Sequence, residues 1–250
     1  MSDPAGRLTW VGHSTVLIAL DGVRLLTDPL LRNRVGHLRR TVRVDASALR
    51  GVDAVLVSHV HYDHLDLPSL DRLGRSMPLV VPRGAGPMLR RRGFEHVTEV
   101  VVGQDIRIGG LTISATRAEH EADRGPLRTK AASLGFVVSG SRHVYFAGDT
   151  DLFEGMSDLG PDLDVALLPV WGWGPSIGPG HLDPRRAAEA VRRLAPSAAV
   201  PIHWGTYYPA TASRSAKFLR EPPELFVAET SRLAPEVTVH VLPVGGSLEL

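Results

Sequence analysis

The chain contains no cysteine among its 250 residues. Disulfides and thiolate metal sites are therefore excluded, and any metal must be held by imidazole and carboxylate. The absence of thiols fits either redox environment and assigns no compartment. Charge of one sign is lacking too: the formal net charge is +1 with neutral histidines. No strong global field selects a nucleic acid or an acidic membrane. A nucleic acid partner would need an added basic module, and none is found. No apolar run is long enough to span a bilayer. Met1-Ser2-Asp3-Pro4 does not open a basic-then-apolar leader, so cytoplasm is the default expectation. Linkers, low-complexity stretches and tandem repeats are also missing. A hydrophobic content of 43% suffices for one substantial core, and a single domain over residues 1–250 is expected.

What is present begins with short apolar runs. Residues 8–20 and 23–27 form a hairpin pattern around Asp21-Gly22, and residues 54–57 read as a buried strand. Residues 30–50 are polar and arginine-rich and read as a mobile loop near the site. Further strands are predicted at 79–81, 97–102, 105–108, 111–116, 133–138, 143–147, 164–168, 198–202 and 237–242. Helices are predicted at 68–73, 84–92, 184–194 and 222–233. Asp183 and Pro184 supply an N-cap and a first-turn proline for the third of these. Strand runs come first in each half and helices follow. This predicts an α/β fold with two β-layers inside helices, a four-layer αβ/βα sandwich. The arginine pairs and triplets at 39–40 and 90–92 read as solvated faces.

The densest chemistry follows the 54–57 strand. Ser58-His59-Val60-His61-Tyr62-Asp63-His64 packs three histidines and an aspartate into six residues. From this composition, such a pattern arises by chance in roughly one chain in a thousand. In extended backbone His59 and His61 point the same way. A turn then lets Asp63 and His64 face a second point. Imidazole nitrogen and carboxylate oxygen suit zinc, iron, manganese and nickel alike. His120, Asp149 and His203 share the context of a polar ligand type soon after an apolar run. If those strands align, their ends converge at one rim.

The motif His59-x-His61-x-Asp63-His64, followed in order by His120, Asp149 and His203, resembles that of the metallo-β-lactamase-fold hydrolases. The resemblance runs over nearly the whole chain. It is nearest to the branch containing the N-acylphosphatidylethanolamine-hydrolysing phospholipase D and the L-ascorbate-6-phosphate lactonase. The residues behind this narrower likeness are Thr9-Trp10-Val11-Gly12-His13-Ser14-Thr15, Leu26-Thr27-Asp28-Pro29, Phe146-Ala147-Gly148-Asp149-Thr150, His181-Leu182-Asp183-Pro184 and Ile202-His203-Trp204-Gly205-Thr206. The resemblance implies two divalent metal ions, zinc foremost. His59, His61 and His120 would hold the first. Asp63, His64 and His203 would hold the second, with Asp149 between them. Asp63 and His181 are the catalytic candidates, His181 facing the substrate beside the metals.

Such a centre implies a binuclear hydrolase using a metal-bridging hydroxide. A three-histidine zinc lowers the pKa of bound water to about 7, and a second ion clamps the leaving oxygen. Two ions bring four positive charges; Asp63, Asp149 and one hydroxide cancel three. The expected substrate is therefore a small anionic molecule, a phosphodiester first and a lactone or carboxylic ester second. His181 would protonate the leaving oxygen or hold the oxyanion. A mononuclear iron oxygenase and a non-catalytic metal-binding protein are the competing classes. Retention of Asp63, His64 and His203 argues against both. Asp28 and Asp66 are candidate outer partners for the imidazoles, with His13 near the rim; each reads equally as a turn or capping residue. Residues 169–180, rich in tryptophan, glycine and proline, are expected to wall the pocket.

Overall fold

The computed structural model describes residues 6–45, 49–124, 129–159, 162–172, 177–213 and 216–250. Three strands open the chain as a meander: β1 (Arg7–Gly12), β2 (Thr15–Leu20) and β3 (Val23–Thr27). Two short strands follow, β4 (Arg34–Val35) and β5 (Leu38–Arg40). Then come β6 (Ala54–Leu56), α1 (Leu67–Leu73), β7 (Leu79–Pro82), α2 (Gly86–Arg91) and β8 (Val97–Val100). The middle of the chain supplies β9 (Asp105–Ile108), β10 (Leu111–Arg117), β11 (Asp123–Arg124), β12 (Thr129–Lys130), β13 (Leu134–Ser139) and β14 (His143–Phe146). It closes with β15 (Val165–Pro169), α3 (Pro184–Leu194), β16 (Ala198–Ile202), β17 (Tyr207–Pro209), α4 (Glu221–Leu233), β18 (Thr238–Val239) and β19 (Ser247–Glu249).

Two seven-stranded sheets result, ordered β19-β1-β2-β3-β6-β7-β8 and β18-β16-β15-β14-β13-β10-β9. Side-chain alternation along each strand sorts residues between two faces. Leu8, Trp10, Ile18, Leu25 and Leu56 of the first sheet meet Ile113, Phe136, Phe146, Leu167 and Val200 of the second in one buried core. Fully burying each such side chain contributes about 1.5–3 kcal/mol. The outer face of the first sheet, with Leu17, Leu26 and Val55, packs on Leu70 of α1 and Leu89 of α2. The outer face of the second, with Tyr145, Ala166 and Leu168, packs on Val191 of α3 and Phe226 of α4. Helix, sheet, sheet, helix is the expected four-layer sandwich.

Strand direction decides where the site lies. β3, β6 and β7 run parallel, as do β14, β15 and β16. β10 and β14 are both antiparallel to β13, so β10 runs with them. The C-terminal ends of β3, β6, β10, β14 and β16 therefore share one rim. In open α/β sheets that rim is where loops build sites.

Three expectations need correction. Residues 34–40 are not an unstructured loop: β4 and β5 pair with each other, and β5 pairs with β17. Arg40 is not a solvated charge but is buried. Its guanidinium donates to the carbonyls of Leu30, Val42 and Val11 and to the Tyr207 hydroxyl. Four acceptors compensate its desolvation, and no local pattern announced the burial because Val11, Leu30 and Tyr207 lie far from Arg40 in sequence. The predicted strand at 237–242 is reduced to Thr238–Val239, and the chain ends instead on β19, which pairs with β1.

Candidate metal centre

Each polar residue singled out after a strand sits at that rim. His59, His61, Asp63 and His64 occupy the turn after β6, where the backbone amides of His64 and Leu65 donate back to the His61 carbonyl. His120 follows β10, Asp149 follows β14, His203 follows β16, and His181 precedes α3. Gly148 lets Asp149 approach: its φ is 62°, and a Cβ there would lie 2.6 Å from Ser58 Cβ and 2.8 Å from the Leu134 carbonyl. Only glycine tolerates both.

Donor atoms of His59, His61 and His120 form one group, and those of His13, Asp63, His64 and His203 another. A third comprises His120, Asp149 and His181. Within each group all donor atoms lie within 4.8 Å of one another. In the first, His61 Nδ1 is 3.1 Å from both His59 Nε2 and His120 Nε2. Four tetrahedral donors at 2.0–2.1 Å from zinc stand about 3.3 Å apart, so the spacing fits such an ion.

Hydrogen bonds fix which nitrogens are lone pairs. His120 Nδ1 is 2.9 Å from the Gly180 carbonyl, and His203 Nδ1 is 2.7 Å from the Trp171 carbonyl. Carbonyls only accept, so both Nδ1 atoms carry protons. His64 Nδ1 donates to Asp28 Oδ2 at 2.7 Å. Ser58 Oγ donates to the same carboxylate at 2.5 Å and accepts from His59 Nδ1 at 2.9 Å. The Nε2 atoms are thereby turned inward. His64 Nε2 lies 3.3 Å from Asp63 Oδ2 and 3.3 Å from Asp149 Oδ2, and has no hydrogen-bond partner among the described residues. His203 Nε2 lies 3.4 Å from Asp149 Oδ1. Buried lone pairs facing buried carboxylates repel unless a cation stands between them. The donor set fits divalent ions of the zinc, manganese, iron or nickel type.

Electrostatics separate the two groups. Burial, with repulsion from His64, holds His59 well below the usual histidine range. Burial also lowers His61, and it takes His120 to about 4. These three are neutral near pH 7 and available as ligands. Burial works against charge on His64 and His203 as well, yet Asp149 and Asp63 raise both. Despite burial, neighbouring imidazoles keep Asp63 and Asp149 well below the usual carboxylate range. Asp28, fully buried behind His64, adds a carboxylate that the charge count from the sequence omitted.

Of the two candidate outer partners, Asp28 takes that role and Asp66 takes the alternative one, a helix cap. Asp66 caps α1, accepting from the Ser69 amide, and forms a bidentate pair with Arg32. His181 Nε2 is 3.6 Å from Asp149 Oδ2, and its Nδ1 donates to the Pro179 carbonyl at 3.1 Å. A cavity of about 590 Å³ opens over the centre. It is lined by His61, His120, Gly180, His181 and the acidic residues Glu119, Glu121 and Asp151. Two of these are ion-paired, Glu119 with Arg117 and Asp151 with Arg186. Of the segment expected to wall the pocket, Trp173 to Ser176 lie outside the described residues. Its flanks do more than form a wall, since the carbonyls of Trp171 and Gly180 orient His203 and His120. His13 went largely unread in the sequence, although it shares the signal of the others, a histidine directly after an apolar strand.

An αββα sandwich carrying clusters of histidine and aspartate donors at one rim defines the class of metal-dependent hydrolases of the metallo-β-lactamase fold. The chain belongs to the β-lactamase superfamily, the Beta-lactamase superfamily domain matching residues 23–204. A UPF0173 metal-dependent hydrolase of Methanopyrus kandleri is 33% identical over 251 residues, spanning 97% of this chain and 99% of its own. The N-acyl-phosphatidylethanolamine-hydrolyzing phospholipase D 1 of Caenorhabditis elegans is 30% identical over 80% of this chain and 64% of its own. A protein of Mycobacterium tuberculosis is 34% identical over 218 residues, and the chain spans 59% of that relative's length. Among solved structures, a metallo hydrolase of Ignicoccus hospitalis superposes with a TM-score of 0.77 at 25% identity, covering 98% of each chain. No helix among the described residues is long and apolar enough to cross a membrane.

Proposed function

We propose that this protein is a binuclear metal-dependent hydrolase acting on a phosphodiester-type bond. The observation that carries the reading is the position of Asp149. One of its oxygens faces His64 and the other faces His203, while the same side chain groups with His120 and His181. A carboxylate so placed belongs to both clusters. In this reading His59, His61 and His120 hold one ion, Asp63, His64 and His203 hold the other, and Asp149 lies between them. When bound, the ions supply an activated water and neutralise charge on the attacked group and the leaving oxygen. The chain's own residues do the rest. Asp28, Ser58 and the carbonyls of Trp171 and Gly180 keep the imidazole protons on the outer nitrogens. His181, at the cavity, would hand a proton from Nε2 to the departing oxygen. Similarity to a phospholipase D supports a diester over other esters.

The test is hydrolysis of a chromogenic phosphodiester by metal-replete protein, with a chelated aliquot as control. Turnover abolished by chelation and restored by zinc or manganese supports the assignment. No turnover with two ions bound moves it to lactones and carboxylic esters.

A further inference from the structure

We propose that His13 is a positioning residue of the second metal site, holding the Asp63 carboxylate turned toward His64 and His203. The proposal rests on the two-ion reading above. His13 Nε2 lies 2.9 Å from Asp63 Oδ2. That same oxygen is 3.3 Å from His64 Nε2 and 3.6 Å from His203 Nε2. Asp63 stands on a turn, and its carboxylate can rotate about two side-chain bonds. A hydrogen bond from Nε2–H to Oδ2 selects the rotation that faces the second site. It leaves lone pairs on the carboxylate for an ion.

His13 is itself held from three directions. Its amide donates to Thr206 Oγ1 at 2.6 Å, and its carbonyl accepts from Trp10 Nε1 at 2.8 Å and from the His203 amide at 3.0 Å. Its ring lies against that of His203, with centroids 3.9 Å apart. The backbone is left-handed, φ 56°. For a residue with a Cβ this costs about 1–2 kcal/mol. Gly12 before it has no room for a side chain, because a Cβ would come within 2.6 Å of the Arg40 guanidinium and 2.9 Å of Thr206 Cγ2. The β1–β2 turn of one sheet and the end of β16 in the other are thus tied together at a strained residue. The imidazole ends at a carboxylate of the centre. Strain of this kind persists only where surrounding structure over-determines it, and it clusters at functional sites.

The experiment measures both ion affinities by competition with a chromophoric chelator in wild type, His13→Leu and His13→Gln. Leucine keeps bulk and removes the donor. Glutamine can present an amide N–H where Nε2 stands. Expected is a loss of about 10–100-fold in affinity for the second ion in His13→Leu, with the first ion within a few-fold of wild type. His13→Gln should recover most of the loss. The cobalt-loaded His13→Gln protein should keep the wild-type visible spectrum, since no ligand is changed. Should His13→Leu not fold, His13→Ala takes its place against His13→Gln. Failure of glutamine to rescue, or a spectral change that marks a lost nitrogen ligand, overturns the proposal. So does equal weakening of both ions. A wild type that binds one ion overturns the two-ion reading and the proposal with it. A wild type that binds two ions, with an unaffected leucine variant, overturns the positioning role alone.

Discussion

On the two-ion assignment proposed above, replacing Asp28 by asparagine changes one oxygen into an N–H₂ and should cost the second ion. Asp28 is fully buried and accepts three hydrogen bonds: from the Ser58 amide at 2.7 Å, from Ser58 Oγ at 2.5 Å and from His64 Nδ1 at 2.7 Å. An asparagine can keep its oxygen on the Ser58 amide. Its nitrogen then meets the serine hydroxyl and the imidazole N–H, neither of which it can accept from. The hydroxyl can turn; the imidazole must move its proton to Nε2, the atom that faces the metal site. A charge-assisted hydrogen bond contributes about 1.5–3 kcal/mol. At about 1.4 kcal/mol per tenfold, this corresponds to roughly 10–150-fold in affinity. The loss should fall on the second ion, because His59 of the first still has Ser58 Oγ as a partner. Chelator competition, with circular dichroism to verify the fold, reads this directly. An Asp28→Asn protein that holds the second ion within about twofold of wild type refutes the orientation argument, since lost outer partners typically cost 10–100-fold. So would a variant that loses the first ion in preference.

Acidification should empty the second site first. His64 and His203 are raised, so a proton competes for the same lone pairs as the ion, whereas His59, His61 and His120 are lowered and already neutral. Metal content followed from pH 8 downward should fall in two steps; a single joint step would contradict the split. Gly148→Ala should destabilise the fold by about 2–5 kcal/mol, the sum of left-handed strain and overpacking against Ser58 and the Leu134 carbonyl. A denaturant midpoint equivalent to less than about 1 kcal/mol would show that the close approach relaxes freely. His181→Ala should lower turnover about 10²–10⁴-fold while leaving both ions bound. Loss of an ion instead would make His181 a ligand.

The local chemistry of the centre was legible in the sequence because ligand spacing and strand pattern are both short-range. Two histidines two residues apart on extended chain, followed by a turn, place four donors from one loop. Asp183 and Pro184 announced α3, and the Asp183 carboxylate does accept from the Arg186 amide. The arginine-rich stretch failed as a local reading. β5 gains its second partner from β17, some 167 residues later, and Arg40 is buried where Leu30, Val11 and Tyr207 converge on it. Of the two roles open to Asp66 in the sequence, outer partner or cap, the structure takes the cap. Its spacing from the histidines suited an outer partner, but Ser69 three residues on and Arg32 on a neighbouring loop claim its carboxylate.

By itself the sequence determined the residue types at the centre, the strands that deliver them and the exclusion of thiolate chemistry. It could do so because those properties reside in neighbouring residues. Only the tertiary structure decided which nitrogen of His59, His64, His120 and His203 faces inward. That choice is made by Asp28, Ser58, Trp171 and Gly180, which folding alone brings to the histidines they orient. The place of His13 beside Asp63 was decided in the same way, by two sheets meeting at one rim.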